Sequence, residues 1–361
     1  MGRKKMELKI TRKNEGERGK LPEDESTLGF GTCFTDHMFS MYYTEERGWH
    51  GAEIMPYHNL VLDPAACSLH YGQMIFEGLK AYRRDDGIWL FRPDKNMERL
   101  NASADRMCMV RIDPDFVINA LKELITIDQR WVPHSEGTSL YIRPTFIATE
   151  PFLGVHPSTE YLFYIILCAV GAYYATGFAP VKIKVEDKFV RAALGGVGFA
   201  KAAGNYAASL KSAEVAAEEG YTQVLWLDAQ ERKYVEEVGT MNQFFVIDGT
   251  VITSPLTGSI LPGVTRDSVI QICKSEGISV EERNLSIDEV IKAIDDGKMD
   301  EAFGSGTAAV ITPVGSLGYK GKEYKINDFK VGELTQRLYD TLTGIQWGKI
   351  EDKYGWTTKV C

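Results

Sequence analysis

The sequence predicts a protein of two α/β domains, and three observations support this fold class. The chain has 361 residues, which is enough for about two or three domains. Strand-like and helix-like segments alternate from about residue 38 onward, as they do in α/β proteins. The stretch 171–180 is rich in Gly, Ala and Tyr and ends in a proline, which indicates a connection between domains.

The N-terminus predicts a further segment that precedes both domains. Six basic residues fall between Arg3 and Lys13, and no apolar run of a secretory signal follows them. We therefore predict a flexible basic arm over 1–25, an N-terminal α/β domain over 26–170, a linker over 171–180 and a C-terminal domain over 181–361.

In the N-terminal domain, turn residues and apolar spacing define the elements. Asp85-Asp86-Gly87 is typical of a hairpin turn. Met97, Leu100 and Ala104 follow helical spacing after Arg92-Pro93. In chain order we predict a strand pair over 78–91, helices from 93 and over 115–129, and strands over 139–148 and 160–170.

The C-terminal domain shows the same alternation. Asn205 could cap an Ala-rich helix that Gly220 ends. Asp248-Gly249 is a strong hairpin signal, and a helix is expected after Pro262-Gly263. The predicted strands of this domain cover 181–186, 222–228, 243–247, 250–253, 301–303 and 308–314.

Charge and composition exclude several classes of partner. A net charge of −9 disfavours nucleic acid as a partner, although the basic arm taken alone would favour it. No apolar run approaches the roughly 18 residues of a membrane span. The six cysteines are scattered without CxxC or clustered His, so we expect no metal site. Reduced thiols and the missing signal favour a cytoplasmic protein.

Lys201 stands in an unusual context, between Gly195-Gly-Val-Gly-Phe-Ala and Ala-Ala-Gly-Asn-Tyr206. Apolar surroundings disfavour the ammonium form of a lysine and so lower its pKa. A neutral amine is what a lysine needs in order to attack a carbonyl group. A lysine at a tight turn with its amine in water is the alternative, and this stretch alone does not decide between them.

Three other stretches suggest ligand binding, each with a structural alternative. Glu237 in Glu-Val-Gly-Thr240 could pair with a protonated ring nitrogen, or it could lie in a surface ion pair. The turn before Val264 and Thr265 opens a helix, whose N-terminus suits phosphate. Gly304-Ser-Gly-Thr-Ala could form an anion-binding nest of amides, or it could be an ordinary turn.

Together these stretches closely resemble the class IV, or fold type IV, pyridoxal-phosphate aminotransferases, and among them the longer branched-chain amino acid aminotransferases. The resemblance extends from about Phe30 to the mid-340s. Its motifs are Phe30-Gly-Thr-Cys-Phe-Thr-Asp-His-Met, Leu69-His-Tyr71, Phe76-Glu-Gly-Leu-Lys-Ala, Phe91-Arg-Pro, Asn96-Met-Glu-Arg99, Leu140-Tyr-Ile-Arg143-Pro, Lys201, Glu237-Val-Gly-Thr240, Leu261-Pro-Gly-Val264 and Gly304-Ser-Gly-Thr-Ala308.

The resemblance implies an α/β (α+β) fold with a smaller N-terminal domain and a larger C-terminal pseudo-barrel domain that binds pyridoxal 5′-phosphate. Lys201 would form the Schiff base and then move the proton between Cα and C4′. Glu237 would pair with the pyridine nitrogen, and Tyr206 would donate to the 3′ oxygen. The phosphate ligands would be Arg99, the amides of Val264 and Thr265, and Thr307.

The resemblance also implies the substrates, which are leucine, isoleucine or valine with 2-oxoglutarate and glutamate. Phe30, Tyr71 and Tyr141 would line the side-chain pocket, and Arg143 would receive a distal carboxylate. The α-carboxylate would bind the amides of Thr307 and Ala308 near Thr240. The loop with Leu153 and Val155 resembles one that closes the site of a second subunit, so a homodimer is expected.

Several alternatives remain open at this point. A D-amino acid aminotransferase or an aminodeoxychorismate lyase would share the fold, but such chains are typically shorter and lack this Tyr71, Tyr141 and Arg143 set. A non-catalytic protein that binds pyridoxal phosphate is opposed by the intact Lys201 and Glu237. Binding of nucleic acid through the basic arm is a third alternative. Ala309 and Thr312 stand where longer animal members have a CxxC, so thiol switching is not expected there.

Overall fold

The computed structural model describes residues 6–171 and 177–361. Residues 1–5 of the predicted arm and 172–176 of the predicted linker lie outside the described residues. The chain divides into two compact units, Met1–Tyr173 together with Ile345–Cys361, and Tyr174–Gly344.

The first unit is built on a ten-stranded sheet. Apart from the parallel pair of β1 and β4, its strands pair antiparallel, and β8 and β9 have the predicted bounds. The strand order is β1-β4-β3-β9-β8-β6-β7 followed by the C-terminal strand Thr357–Lys359, with β2 beside β9 and β5 beside β8. The strands are β1 (Lys9–Ile10), β2 (Cys33–Phe34), β3 (His37–Thr44), β4 (Gly48–Pro56), β5 (Met74–Phe76), β6 (Leu79–Arg84), β7 (Gly87–Phe91), β8 (Ser139–Ala148) and β9 (Glu160–Val170).

The described residues of the first unit form the helices α1 (Cys67–Tyr71), α2 (Pro93–Arg106) and α3 (Pro114–Ile127). Both longer helices begin with proline, which lacks the N–H that the first turn would leave without a helical acceptor. The carboxylate of Asp113 caps α3 by accepting from the Phe116 amide at 3.1 Å. Their apolar faces are buried, so these helices cover the core of the unit.

The C-terminal segment packs on the first unit, although the sequence predicts it to be part of the C-terminal domain. Thr357–Lys359 pairs with β7, and Trp356 packs edge-on against Phe91 with ring centroids 5.7 Å apart. The segment therefore belongs to the first unit rather than to the predicted domain over 181–361, and the two units are of similar length. Pairing covers β7, which would otherwise be an exposed sheet edge.

The described part of the predicted arm also makes specific contacts. Asp36 is 2% exposed and accepts from the Gly19 amide at 2.7 Å, while Lys13 lies 3.4 Å from the same carboxylate. Burial alone would raise the pKa of Asp36, but the hydrogen bond from Arg130, with that of Gly19, outweighs it and holds the pKa below its usual range. A buried carboxylate thus anchors a segment that composition alone predicts to be solvated.

The second unit contains a closed barrel. Its nine-stranded sheet follows the order β12-β11-β10-β17-β16-β13-β14-β15, with β18 beside β17. Because β12 also pairs with β13, the strands β12, β11, β10, β17, β16 and β13 form a six-stranded ring. The strands are β10 (Val181–Glu186), β11 (Gln223–Leu227), β12 (Val235–Val238), β13 (Met241–Ile247), β14 (Thr250–Thr253), β15 (Val280–Glu282), β16 (Met299–Gly306), β17 (Val310–Tyr319) and β18 (Lys322–Lys325).

The helices of this part of the chain are α4 (Ala203–Ala207), α5 (Leu210–Glu218), α6 (Val264–Ser275), α7 (Ile287–Asp295) and α8 (Glu333–Gln346). The predicted cap at Asn205 is wrong, because Asn205 lies inside α4. Its amide donates to the carbonyls of Val197 and Ala200, both at 2.9 Å, and so holds the loop before the helix. Within the described residues, no helix combines the length and apolar character that crossing a membrane requires.

Candidate active site

Lys201 lies just before α4, where its amine meets a phenol. Nζ donates to the hydroxyl of Tyr206 at 2.7 Å. The flanking Ala200 and Ala202 are buried, so the backbone at this position is fixed by packing. A Cβ at Gly198 would lie 2.2 Å from the Ser259 carbonyl oxygen, so only glycine permits this approach. The predicted Lys201 and Tyr206 are therefore brought together on a rigid loop.

Glu237 is a buried carboxylate on β12, 4% exposed. Its Oε1 accepts from the Asn242 side chain at 3.1 Å and from the Leu261 amide at 3.2 Å. Its Oε2 lies 2.7 Å from Nη1 of Arg191, but Oε2 accepts no hydrogen bond of good geometry from the described residues. Burial raises the pKa of Glu237, and the nearby Arg191 opposes that rise. The site thus holds a carboxylate oxygen that can receive a further donor.

A two-residue hairpin turn positions this carboxylate. Val238 pairs with Met241, and Gly239 between them has φ +55°, a conformation that glycine adopts without strain. The turn therefore places Asn242 directly opposite Glu237. Thr240 lies exposed at the tip of this turn, where its side chain is accessible to a small ligand.

The same Asn242 links Glu237 to the start of α6. Its amide donates to the Leu261 carbonyl at 2.9 Å. A Cβ at Gly263 would lie 2.1 Å from its side-chain oxygen, so glycine is required here. Val264 and Thr265 are the first residues of this 12-residue helix. The first amides of an α-helix have no acceptor within the helix, which suits them to an anion.

The third predicted stretch forms the turn between β16 and β17. Gly306 pairs with Val310, which leaves Thr307, Ala308 and Ala309 as the turn. Val310 has φ +61°, an unusual conformation for a β-branched residue that indicates local strain at this turn. The Thr240 carbonyl oxygen lies 3.7 Å from a Cβ placed on Gly306, so the Thr240 tip and this turn are neighbours.

In the first unit, Arg99 lies on α2 and is 8% exposed, so it is not a solvated surface arginine. Its Nε and Nη2 bind the two carboxylate oxygens of Glu77 at 2.7 and 2.8 Å. Oε2 of Glu77 also accepts from the Asn96 side chain at 2.8 Å and from the Gly78 amide at 3.1 Å. Glu77 itself is fully buried, so this pair fixes the direction of the Arg99 guanidinium.

Arg143 and Tyr141 lie on one face of β8 together with aromatic rings. Nη2 of Arg143 donates to the Tyr141 hydroxyl at 2.9 Å, and the guanidinium lies 4.6 Å from the Phe76 ring centroid. Phe30 packs edge-on against Tyr141, with centroids 4.9 Å apart. Nε of Arg143 is buried and has no hydrogen-bond partner among the described residues. A Cβ at Gly78 would lie 2.3 Å from the Tyr141 hydroxyl, which explains the glycine of Phe76-Glu-Gly.

The remaining predicted substrate residues lie on an exposed apolar surface of the first unit. Tyr71 is 41% exposed, Leu153 67% and Val155 85%. Backbone contacts join their segments, since the Cys67 amide donates to the Glu150 carbonyl at 3.0 Å. The structure does not place these three side chains with Tyr141.

Two polar residues of the site were not predicted from sequence to have a role. Asn242 could have been found by counting, because a two-residue turn at Gly239-Thr240 places it opposite Glu237. Arg191 has no such signal, since its partner lies on a different strand that only the barrel brings near.

Comparison with known proteins agrees with this geometry. The family described as Amino-transferase class IV matches residues 74–317. The chain belongs to the class IV aminotransferases. A branched-chain-amino-acid aminotransferase of Bacillus subtilis strain 168 is 57% identical over 338 residues, 93% of each chain.

Solved structures of class IV aminotransferases show the same fold. The Escherichia coli branched-chain amino acid aminotransferase has a TM-score of 0.75 and 31% identity, and the match covers 90% of this chain and 99% of that one. A T.th. branched-chain amino acid aminotransferase, solved with pyridoxamine 5′-phosphate, has a TM-score of 0.75 and 28% identity, covering 89% and 98%.

Pyridoxal 5′-phosphate is the cofactor of these class IV aminotransferases, and two observations on this chain fit it. The amine of Lys201 can react with an aldehyde and is held by a phenol that can donate to a ring oxygen. The buried Oε2 of Glu237 can accept from a protonated ring nitrogen. The residues present therefore have the chemistry that this cofactor needs.

Proposed function

We propose that this chain transfers the amino group between L-leucine, L-isoleucine or L-valine and 2-oxoglutarate, producing branched-chain 2-oxo acids and L-glutamate. The observation that carries this substrate assignment is the face formed by Phe30, Phe76, Tyr141 and Arg143. Aromatic rings suit a branched alkyl group, while a partly buried guanidinium, whose Nε has no partner among the described residues, suits a carboxylate. One face thus offers both substrates a favourable contact.

Lys201 is the proposed catalytic residue. Bound pyridoxal phosphate supplies the electron sink for the charge that develops at the substrate Cα. Lys201 would hold the cofactor through Nζ, and Nζ, once released by the substrate amine, would act as the base and acid that moves the proton at the substrate Cα. Tyr206, 2.7 Å from Nζ, is placed to donate to the 3′ oxygen.

Glu237 holds the ring nitrogen protonated in this proposal, since its open Oε2 is the acceptor. The phosphate ligands are Arg99, the amides of Val264 and Thr265, and Thr307. Arg99 supports this role because Glu77 binds its Nε and Nη2 edge and thereby orients the Nη1 side.

For the substrate, the proposal distinguishes two carboxylates. The amides of Thr307 and Ala308 bind the α-carboxylate, next to the exposed Thr240 tip. Arg143 with the Tyr141 hydroxyl binds the distal carboxylate of glutamate or 2-oxoglutarate. Each amino acid therefore keeps the same α-contacts, and only the side-chain contacts change.

A homodimer completes the proposal. Leu153, Val155 and Tyr71 expose apolar surface on adjoining segments, and such surface favours burial by another chain. A second copy of this chain is the proposed occupant, with the loop of Leu153 and Val155 closing its site. A cytoplasmic location belongs to the same proposal and rests on the composition.

An absorbance titration tests the function. L-leucine should bleach the cofactor band of the purified protein, and 2-oxoglutarate should restore it. Lys201→Ala should abolish both responses, whereas Lys211→Ala, at an exposed lysine of α5, should leave them intact. A band that ignores L-leucine but responds to a D-amino acid would contradict the substrate assignment. The absence of any band after pyridoxal phosphate is added would contradict the function itself.

A further inference from the structure

We propose that Arg191 is a positioning residue that keeps Glu237 ionised and holds it in place, so that the shared proton sits on the cofactor ring nitrogen rather than on the carboxylate. This inference rests on the proposed function. It adds a residue that sequence motifs do not indicate, and it assigns that residue an electrostatic task.

The guanidinium of Arg191 is itself held tightly. Its side chain is 7% exposed. Nη1 lies 2.7 Å from Oε2 of Glu237, 3.4 Å from the Gly198 carbonyl and 3.3 Å from the Ser259 carbonyl. Two carbonyl acceptors and one ion-paired carboxylate oxygen, from three separate segments, therefore surround this nitrogen, and the cation has little freedom to move away from the carboxylate.

Charge distinguishes Arg191 from the other partners of Glu237. Asn242 and the Leu261 amide both bind Oε1, and both are neutral donors that orient the carboxylate. A carboxylate that is buried with neutral donors alone tends to take up a proton. A protonated Glu237 would donate to the ring nitrogen instead of accepting from it, and the ring would lose its positive charge.

The other charged groups near Glu237 do not replace Arg191. Glu236, its neighbour on β12, acts in the opposite direction and raises the pKa of Glu237. Glu236 is bound by the Ser259 hydroxyl; burial raises the pKa of Glu236, and Arg191 opposes that rise. Lys201 lowers the pKa of Glu237 by a smaller amount than Arg191 does, and it is the residue proposed to change its bonding during turnover. Arg191 is therefore the principal lasting positive charge acting on Glu237.

The test compares variants that separate charge from volume. Arg191→Met keeps most of the side-chain volume and removes the charge, and Arg191→Lys keeps the charge. Arg266→Met is the matched control, because Arg266 is also a buried arginine of the second unit and pairs with Glu282 at 2.8 Å. In the cofactor-bound proteins, the pH profile of the absorbance band should shift in Arg191→Met, return toward wild type in Arg191→Lys and stay unchanged in Arg266→Met.

A second readout needs no cofactor. In apo Arg191→Met, the deficit in stability relative to wild type should grow as the pH rises from the folded-state pKa of Glu237 in wild type to its higher folded-state pKa in the variant, by up to about tenfold in the unfolding constant per pH unit. Adding Glu237→Gln should remove this pH dependence. Urea unfolding followed by tryptophan fluorescence measures both.

The outcomes separate this inference from the proposed function. A wild-type pH profile in cofactor-bound Arg191→Met, or an apo variant whose stability deficit is independent of pH, would overturn the role of Arg191. Failure of L-leucine to bleach the wild-type band would overturn the function, while the apo measurement would still report on Arg191 and Glu237.

Discussion

Each unit of this protein contains a buried arginine–glutamate pair that includes a proposed cofactor ligand, and the roles of the arginine and the glutamate are reversed between the two pairs. In the first unit, Arg99 is the proposed ligand and Glu77 supports it. In the second unit, Glu237 is the proposed ligand and Arg191 supports it. The charge of the ligand group explains the reversal, since a phosphate needs a cation and a protonated ring nitrogen needs an anion.

The carboxylates of the two pairs also differ in the hydrogen bonds that they accept. Both oxygens of Glu77 accept hydrogen bonds, and Oε2 accepts three, so this carboxylate is fully used in holding its surroundings. Oε2 of Glu237 instead faces Arg191 without accepting a hydrogen bond of good geometry from the described residues. Glu77, whose two oxygens both accept hydrogen bonds, is suited to support its neighbours, whereas Glu237 keeps an oxygen that can bind a ligand.

The largest expected effect comes from leaving an arginine without its carboxylate. Glu77→Gln leaves Arg99 buried and charged, because a guanidinium cannot release its proton in a protein. Breaking a buried pair in this way should lower the free energy of unfolding of the apoprotein by about 3–5 kcal/mol. Urea unfolding would measure this loss.

The double variant Glu77→Gln with Arg99→Gln is the control for this prediction. It should recover much of the stability, because no buried charge remains, but it should not recover affinity for pyridoxal phosphate. A loss below about 1 kcal/mol in Glu77→Gln would mean that Glu77 does not support Arg99 as the geometry indicates.

Arg143 sharpens the comparison, because it is a partly buried arginine with no carboxylate partner among the described residues. Its Nε donates to none of them, and its Nη2 donates to the neutral Tyr141 hydroxyl. Arg143→Met should therefore lower kcat/KM for 2-oxoglutarate by about 10- to 100-fold, as expected for the loss of about 1.5–3 kcal/mol from a charged hydrogen bond. Steady-state kinetics with L-leucine and each 2-oxo acid would measure it.

The result that tests this role is the difference between the effects of Arg143→Met on the two half-reactions. The half-reaction with L-leucine, followed as bleaching of the cofactor band, should change far less than the half-reaction with 2-oxoglutarate. An equal loss in both half-reactions would contradict a role in recognising the distal carboxylate. Tyr42→Phe, at a 46% exposed tyrosine of β3, is the matched change outside the proposed site and should not reproduce the split.

Part of the fold could be predicted from the sequence, and part of it could not. Local patterns predict β8, β9 and β10 with the bounds that the structure has, because β8 and β9 are mostly apolar segments and β10 alternates apolar with charged residues. They do not predict that β12 pairs with β13 to close a barrel, or that Thr357–Lys359 returns to the first unit. Both depend on register between distant segments, and local spacing carries no information about it.

The candidate site divides in the same way. Lys201 and Glu237 stand out through motifs of several fixed residues. Arg191 is one arginine among many in the sequence, and its position against Glu237 arises only when the loop after β10 meets β12. The sequence therefore indicates the groups proposed to touch the cofactor better than it indicates the groups that support them.

A smaller effect is expected in how the stability of the apoprotein depends on pH, and it tests only the pair of Arg191 and Glu237. Because the folded pKa of Glu237 is raised, its contribution to stability is fully present below the ordinary glutamate pKa and is lost as the pH rises through the folded pKa. The loss amounts to about 1.4 kcal/mol for each pH unit that separates the folded pKa from the ordinary one. Glu237→Gln should remove this dependence, which urea unfolding at pH 5 to 8 would detect. A wild-type protein and a Glu237→Gln variant with parallel pH curves would contradict the raised pKa.

The smallest effect on folding is expected at the exposed loop of the first unit, where no buried charge is involved. Leu153→Ser and Val155→Ser change side chains that are 67% and 85% exposed, so each should alter the free energy of unfolding of the isolated chain by no more than about 0.5 kcal/mol. The same changes should weaken self-association, because apolar surface that a second copy buries would become polar. Light scattering across a dilution series measures the dimer, and Leu210→Ser, at a 68% exposed leucine of α5, is the control. If Leu153→Ser and Leu210→Ser associate equally well, the loop does not form the dimer contact.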